Sequence, residues 1–219
     1  MTGGRRRGVA VASLGALALL VTLGIGAARP RRTSLPYFED ASLTPRWLDA
    51  RGAARAHRVG DFHLVDSHGR AVTRADVARR VYVAGFFYAE CRTLCPDVRA
   101  QLSRVHEAFA ADTLVRILSH SVAPERDDPA RLARYAEHNH VDGVQWRLLT
   151  GSRAELERLA RDAYFVELSD TTGNTRGRLR HTETLLLVDG EGRLRGAYDG
   201  SLAYDVNQLI ADVRTLRAR

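Results

Sequence analysis

The feature that most constrains this sequence is the stretch Tyr82–Pro96, YVAGFFYAECRTLCP, which runs from an apolar segment into a pair of cysteines. Its first half carries no charge and is rich in aromatic residues, which is typical of a buried strand. Cys91 and Cys95 follow, and Asp97–Ala110 has apolar residues at helical spacing. The sequence therefore predicts that a buried strand delivers two thiols, the only cysteines of the chain, to the start of a helix.

Thiols at a helix start are more reactive than ordinary ones. The unpaired N–H groups and the positive partial charge there favour the thiolate, which binds soft metals and attacks disulfides. The short spacing lets both sulfurs meet one metal ion or close a small disulfide ring. A static disulfide of an exported protein is the plainer alternative, although so small a ring constrains little of a long unfolded chain.

The N-terminal segment, residues 1–32, has the composition of a membrane anchor. Gly8–Ala28 is a run of 21 uncharged residues with arginines on both sides. Such a run is long enough to span a bilayer and longer than the usual apolar core of a cleavable signal. We expect one transmembrane helix, with the following domain on the periplasmic or extracytoplasmic side of the cytoplasmic membrane. A signal peptide cleaved near Gly26-Ala27-Ala28 is the alternative.

The net charge of +7 does not indicate a nucleic-acid-binding protein. Residues 1–32 hold six arginines and no acidic residue, whereas the remainder has 27 arginines against 26 acidic residues. A nearly neutral remainder lacks the electrostatic footprint that phosphate binding requires. We therefore expect no nucleic-acid partner.

The remainder divides into a linker, residues 33–60, and an α/β domain, residues 61–219. In the linker, Leu35–Leu48 carries three aromatic residues, so we expect it to lie along the domain surface; a flexible spacer is the alternative. In the domain, strands alternate with helices before a closing hairpin and helix, which describes a thioredoxin-like sandwich with an N-terminal hairpin and an insert. Besides the strand and helix around the cysteines, the predicted elements are a hairpin turning at Asp66–Gly69, a short helix Thr73–Val77, strands or extended pieces at Leu114–Ser121, Val144–Leu149, Tyr164–Leu168, Thr184–Val188 and Leu194–Tyr198, and helices at Asp127–His138, Ser152–Ala160 and Asp205–Arg217.

Four blocks of the sequence, in order, resemble the Sco/SenC family of copper chaperones for cytochrome c oxidase. FFYAECRTLCPDV resembles the family's Cys-x-x-x-Cys-Pro signature, and SVAPERDDPARLARYAE its Ser-Val-Asp-Pro-Glu-Arg-Asp segment. WRLLTGSRAELERLA resembles its Trp-x-x-Leu-Thr-Gly block, and HTETLLLVDGEGRLRGAYDG its copper-histidine hairpin. LPYFEDASLTPRW also resembles the linker of some members. The resemblance covers residues 35–217 and is far more specific than one Cys-x-x-x-Cys.

The resemblance implies a copper site formed by Cys91, Cys95 and His181. The donor chemistry agrees with it, because thiolates suit Cu(I) and imidazole also accepts Cu(II). The only methionine is Met1, so a methionine-rich copper site is excluded. The other histidines are weaker candidates: His138 and His140 form a polar pair, His120 either supports the site or is structural, and the sequence gives no support to His57, His63, His68 or His106.

The function that the resemblance implies is that of a membrane-anchored copper chaperone. It would bind one copper ion and pass it to the dinuclear copper site of cytochrome c oxidase subunit II, with a thiol reductant keeping its cysteines reduced. The alternative is a thiol–disulfide oxidoreductase in which Cys91 and Cys95 are the redox-active pair; a peroxidase is a weaker option. No proline occurs after Pro129, so the cis-proline of thioredoxins is absent, which weakens the oxidoreductase interpretation.

The chain departs from the family pattern at two positions. Arg180 stands where members often have an acidic residue directly before the histidine, and Ala123 stands where the pattern has Asp. An arginine next to the metal-binding histidine opposes a bound cation, whereas a carboxylate attracts it. Both departures bear on copper affinity and on the choice of partner, and they leave the three ligand positions intact.

Overall fold

The structure, a computed structural model, describes residues 34–91, 95–166 and 183–218. The strands in these ranges are β1 (His63–Asp66), β2 (Ala71–Thr73), β3 (Val81–Phe87), β4 (Val115–Ser121), β5 (Trp146–Thr150), β6 (Thr184–Val188) and β7 (Leu194–Asp199). The helices are α1 (Ala50–Arg55), α2 (Cys95–Ala108), α3 (Pro129–His138), α4 (Arg153–Arg158) and α5 (Ala203–Arg217), with a short 3₁₀ helix at Arg74–Val77. The described strands form one mixed sheet in the order β2-β1-β5-β4-β3-β6-β7.

The centre of the sheet consists of three parallel strands, β3, β4 and β5. Every residue of β3 is buried, as its uninterrupted apolar sequence predicts. β3 and β4 stay in register to Phe87 and Ser121, and the amide of Val122 then donates to the Phe87 carbonyl at 2.8 Å. Because these two strands are parallel and in register, they end together at one end of the sheet, which we call the cysteine end.

The antiparallel strands bring further elements to the cysteine end. β6 pairs with β3 through Ala84 and Leu186, so β6 begins at that end, at Thr184. β7 pairs with β6 and ends opposite Thr184, at Asp199. Helices α2, α3 and α5 each follow a strand that ends here, so all three begin on the same side of the molecule.

Side chains on the two faces of the sheet form two hydrophobic cores. α2, α3 and α5 cover the face that carries Val83 and Ile117. α4 and the residues before β1 cover the face that carries Ala84 and Leu118. The apolar spacing predicted over Asp97–Ala110 is confirmed, because Val98, Leu102 and Val105 of α2 and Phe109 directly after it are all buried.

The extended piece predicted at Tyr164–Leu168 is wrong over Tyr164–Val166, and residues 167 and 168 lie outside the described residues. The helix that continues from α4 widens into a π-helical turn at Leu159–Ala163. Its carbonyls then accept from the amides of Tyr164 and Val166, at 2.9 and 2.7 Å. Both amides form the hydrogen bonds that end the π-helical turn, so they are not available for pairing in a β-sheet.

Ser152 and Glu155 have the sequence spacing of a capping box at the start of α4, but only half of that box forms. The Ser152 hydroxyl accepts from the Glu155 amide at 3.2 Å, as expected of an N-cap. The Glu155 carboxylate does not return to the helix start; it accepts from the amide of His63, in β1, at 3.2 Å. Glu155, the second residue of the capping-box pattern, therefore links α4 to the sheet and does not cap its own helix.

Residues 34–48, which we call the strap, lie along the domain. Leu35 and Phe38 are buried, whereas Trp47 is 59% exposed. The guanidinium of Arg195, itself only 2% exposed, donates to the carbonyls of Leu35 and Pro36 at 2.5 and 2.8 Å. The strap is therefore part of the packed structure.

The predicted membrane anchor, residues 1–32, lies outside the described residues. Within residues 34–91, 95–166 and 183–218, no helix is both long enough and apolar enough to cross a membrane.

Candidate metal centre

Strand β3 delivers Cys91 to a tight turn at the cysteine end of the sheet. The amide of Cys91 donates to the Tyr88 carbonyl at 3.2 Å, which closes a four-residue turn directly after the strand. The Cys91 side chain is half-buried and packs against the core under α2. One side of this thiol is therefore fixed by protein.

Cys95 is the first residue of α2, two positions earlier than the predicted helix start at Asp97. Pro96 follows it, and a proline is tolerated in the first turn because the amide it lacks would have no intrahelical partner. The helix start, with its positive partial charge, thus coincides with the second cysteine. The side chain of Cys95 lies outside the described part of the chain.

His181 also lies outside the described residues. β6 begins three positions later, at Thr184, and that strand begins at the cysteine end. In the part of the chain that the structure describes, no group of three or more His, Cys, Asp or Glu side chains could hold a metal ion. The set of Cys91, Cys95 and His181 therefore remains a prediction.

Of the two departures from the family pattern, Ala123 lies in the described structure and Arg180 does not. Ala123 is half-buried in the connection from β4 to α3, and its amide donates to the Ser121 hydroxyl at 3.0 Å. Its methyl group adds no negative charge at the cysteine end.

Two acidic residues not predicted as part of the site stabilise the cysteine turn, Tyr88–Cys91: Glu90 belongs to the turn and Asp127 contacts it. The Glu90 carboxylate pairs with Arg126 and Arg131, and the hydrogen bond from Arg131 lowers the pKa of Glu90. Asp127 is buried, and its Oδ2 accepts from the amide of Ala89 at 3.2 Å. Burial raises the pKa of Asp127, against the effect of its hydrogen bonds.

A signal for Asp127 existed in the sequence. The N-cap of α3 is Asp128, whose carboxylate accepts from the Arg131 amide at 2.7 Å. Because Asp128 alone caps α3, the second acidic residue beside it, Asp127, indicates another role.

Among the other histidines, His120 is structural. It is fully buried between the rings of Phe86 and Tyr164, on the face of the sheet opposite the core that Cys91 contacts. His57 lies 3.0 Å from the Ala163 carbonyl, His106 pairs with Asp142, and His63, His68, His138 and His140 are exposed.

His120 is expected to make the domain sensitive to acid. Its Nδ1 lies 3.1 Å from the Gly85 carbonyl, while Nε2 has no hydrogen-bond partner among the described residues. Burial lowers the pKa of His120 from 6.5 to about 4, so the native state holds the ring neutral while the unfolded chain takes up a proton. The free energy of unfolding should therefore fall by about 3 kcal/mol between pH 6.5 and pH 4, the window set by these two pKa values.

Denaturant unfolding of wild type and His120→Phe at several pH values measures this loss. Carboxylates with lowered pKa values lose their stabilising effect mainly below pH 4, so the difference between the two proteins isolates His120. Equal slopes against pH between 6.5 and 4.5 would contradict the prediction.

The mixed sheet, with helices on both faces and a Cys-x-x-x-Cys where the first core strand passes into a helix, defines an α/β protein of the thioredoxin-like class. The sequence model of the SCO1/SenC family matches residues 50–218. The chain belongs to this family, as its four sequence blocks predict.

A relative and two solved structures of this family match the chain over most of their length. The SCO1 protein homolog of Bacillus subtilis (strain 168) is 27% identical over 161 residues, which are 73% of this chain and 82% of that protein. The structure of BsSco, described as a cytochrome c oxidase assembly protein with a disulfide switch, matches with a TM-score of 0.63 and 26% identity, covering 73% of this chain and 93% of that one. ScoI of Bradyrhizobium japonicum, solved with copper bound, matches with a TM-score of 0.60 and 26% identity, covering 74% of this chain and 99% of that one.

Proposed function

We propose that this protein is a membrane-anchored copper chaperone that binds one copper ion through Cys91, Cys95 and His181. It delivers the ion to the dinuclear copper site of cytochrome c oxidase subunit II. The observation that carries the proposal is the coincidence of three chain positions at the cysteine end: the turn with Cys91, the helix start at Cys95 and the start of β6 shortly after His181. Relatives described as copper-bound or as oxidase assembly proteins support it.

The residues fit a copper ion chemically. Two thiolates are soft donors that favour Cu(I), and one imidazole extends the set to Cu(II). Cys91 is only half-buried, which leaves part of the residue open to a partner protein. Copper is here the cargo, and it leaves by stepwise exchange of these ligands for those of the acceptor.

The two cysteines must be reduced before they can take up copper. Oxidation joins their sulfurs in one S–S bond, with the loss of two protons and of two electrons to the oxidant. A partner dithiol reverses this by attack of its thiolate on the disulfide, and the partner is itself oxidised to a disulfide. A thiol reductant is therefore the second partner that we propose.

The proposed location is the cytoplasmic membrane, with Gly8–Ala28 as a single-pass anchor and the domain on the periplasmic or extracytoplasmic side. A common membrane raises the effective concentration of the chaperone near the oxidase subunit.

A Cu(I) competition experiment on the reduced full-length chain in detergent tests the proposal. We expect one copper ion per wild-type chain. His181→Ala should weaken binding by more than the roughly 10- to 100-fold that loss of an outer-shell partner costs. His138→Gln is the matched control, because this histidine is exposed and lies at the end of α3.

The same variants separate the chaperone from the alternative function. A thiol–disulfide oxidoreductase, which the disulfide switch described for BsSco favours, needs Cys91 and Cys95 but no imidazole. A chain that binds no copper and whose His181→Ala variant keeps full dithiol exchange activity would establish that alternative and overturn the chaperone.

A further inference from the structure

The cysteine turn is held from outside by the β4–α3 connection. Oδ2 of Asp127 accepts from the amide of Ala89, two residues before Cys91, at 3.2 Å. The same oxygen accepts from the Ser121 hydroxyl at 2.7 Å. Ser121 is the last residue of β4 and pairs with Phe87 at the end of β3. The carboxylate therefore joins the turn to the neighbouring strand at the point where the strand ladder stops.

Arg131 extends this connection to helix α3. Its guanidinium binds the Glu90 carboxylate, and its Nε lies 3.7 Å from Oδ1 of Asp127. The groups facing Asp127 are thus two hydrogen-bond donors, one arginine and, beyond it, Glu90. Because Glu90 directly precedes Cys91, the turn is held through two successive residues, one by its backbone and one by its side chain.

The two contacts differ in the strength with which they can hold the turn. The Glu90 side chain is 37% exposed and its arginine partners are 33% and 50% exposed, so water screens these ion pairs. The Asp127 side chain is 1% exposed. A hydrogen bond to a buried, charged acceptor is stronger than one between neutral groups, so the Ala89 amide loses a strong partner when the carboxylate is removed.

We propose that Asp127 is a positioning residue for copper binding, which fixes the Tyr88–Cys91 turn and with it the direction of the Cys91 sulfur. This inference rests on the proposed function for the role of Cys91 as a ligand. Asp127 itself acts only through the backbone of the turn. Partners that orient a ligand in this way commonly affect metal affinity about 10- to 100-fold.

The variant that tests the proposal is Asp127→Asn, which keeps the shape of the side chain and removes its charge. Asp66→Asn is its matched control. Asp66 is equally buried and also holds a turn, by accepting from the amides of His68 and Arg70 at 2.9 and 3.0 Å. That turn contacts Gly143, which precedes β5, so it lies at the end of the sheet opposite the cysteine end.

Two quantities are measured on the reduced full-length chain: its Cu(I) affinity, and the copper-free equilibrium of its Cys91/Cys95 pair with a thiol–disulfide buffer. We expect Asp127→Asn to weaken Cu(I) binding by about 10- to 100-fold. We also expect it to shift the equilibrium constant between the dithiol and disulfide forms of the Cys91/Cys95 pair. Asp66→Asn should stay close to wild type in both quantities. Denaturant unfolding should show a loss of stability in both variants, which separates positioning from general damage.

Equal Cu(I) affinities and equal redox equilibria in the two variants would overturn the proposal. If Asp127→Asn does not fold, Ser121→Ala replaces it, because this variant removes one donor to the carboxylate and leaves the charge; wild-type values of both quantities would then overturn the proposal. A wild-type chain that binds no copper would refute the proposed function instead, and the copper-free equilibrium would still decide whether Asp127 fixes the turn.

Discussion

Replacing Cys91 by serine is expected to abolish tight Cu(I) binding. A hydroxyl is a hard, protonated donor at neutral pH, whereas the thiolate is soft and charged, so the copper site loses the ligand type that Cu(I) prefers. No reductant should restore binding, whereas reduction of oxidised wild type should restore full copper loading. Competition with a Cu(I) chelator under anaerobic conditions measures the loss.

The serine variant should nevertheless remain folded. The Cys91 side chain is half-buried, and serine has nearly the same shape, so the free energy of unfolding should change by only about 1 kcal/mol. A double variant, His138→Gln with His140→Gln, removes the competing histidine pair and should keep wild-type copper binding. If Cys91→Ser held copper as tightly as wild type, Cys91 would not be a ligand and the proposed site would be wrong.

Arg195→Met is expected to cause the largest loss of stability, about 3–5 kcal/mol, because it leaves two buried carbonyls without a donor and removes one of the two arginines that pair with Asp189. The Arg195 guanidinium binds Oδ2 of Asp189 at 3.0 Å, donates to the two strap carbonyls and lies 4.0 Å from the centre of the Tyr37 ring. Methionine fills much of the space but satisfies none of these polar groups. Denaturant unfolding at pH 7 gives the size of the loss.

The control for this change is Arg161→Met. Arg161 pairs with Asp162 at 2.8 Å, but both side chains are more than half exposed, and pairs of this kind contribute about 0–1 kcal/mol. Limited proteolysis should also cut the strap of the Arg195 variant near the exposed Arg46, while wild type resists. Equal stabilities of the two variants would show that the buried contacts of Arg195 do not hold the strap.

Much of the fold follows from short-range patterns in the sequence. The apolar run of β3 and the helical spacing in α2 each determine an element that tertiary packing then uses without change. The Sco/SenC assignment was equally accessible, because four motifs in order are independent signals. The class of the candidate site, a dithiol at a helix start, follows from the same stretch.

The parts of the fold and of the site that the sequence does not predict depend on long-range contacts, which leave no local pattern in the sequence. Arg195 lies 160 positions from Leu35, and the sequence around either residue does not indicate that the two are in contact. The aromatic residues of the strap correctly predict that it lies along the domain, because Phe38 is buried and the Tyr37 ring packs on the Arg195 guanidinium. The exposure of Trp47 and the contribution of Arg195 have no such signal. Asp127 is the last residue of the Ser-Val-Asp-Pro-Glu-Arg-Asp segment, but the sequence pattern does not reveal that its carboxylate binds the backbone amide of Ala89.

The hydrogen bonds that attach the strap to Arg195 are made by groups that keep their protonation state as the pH changes. A guanidinium does not lose its proton in proteins, and the two carbonyls that it binds do not titrate. Acidification that weakens the core at His120 therefore leaves these two hydrogen bonds charged and intact. At a pH low enough to destabilise the core, the strap should therefore remain attached to the domain until the sheet itself unfolds.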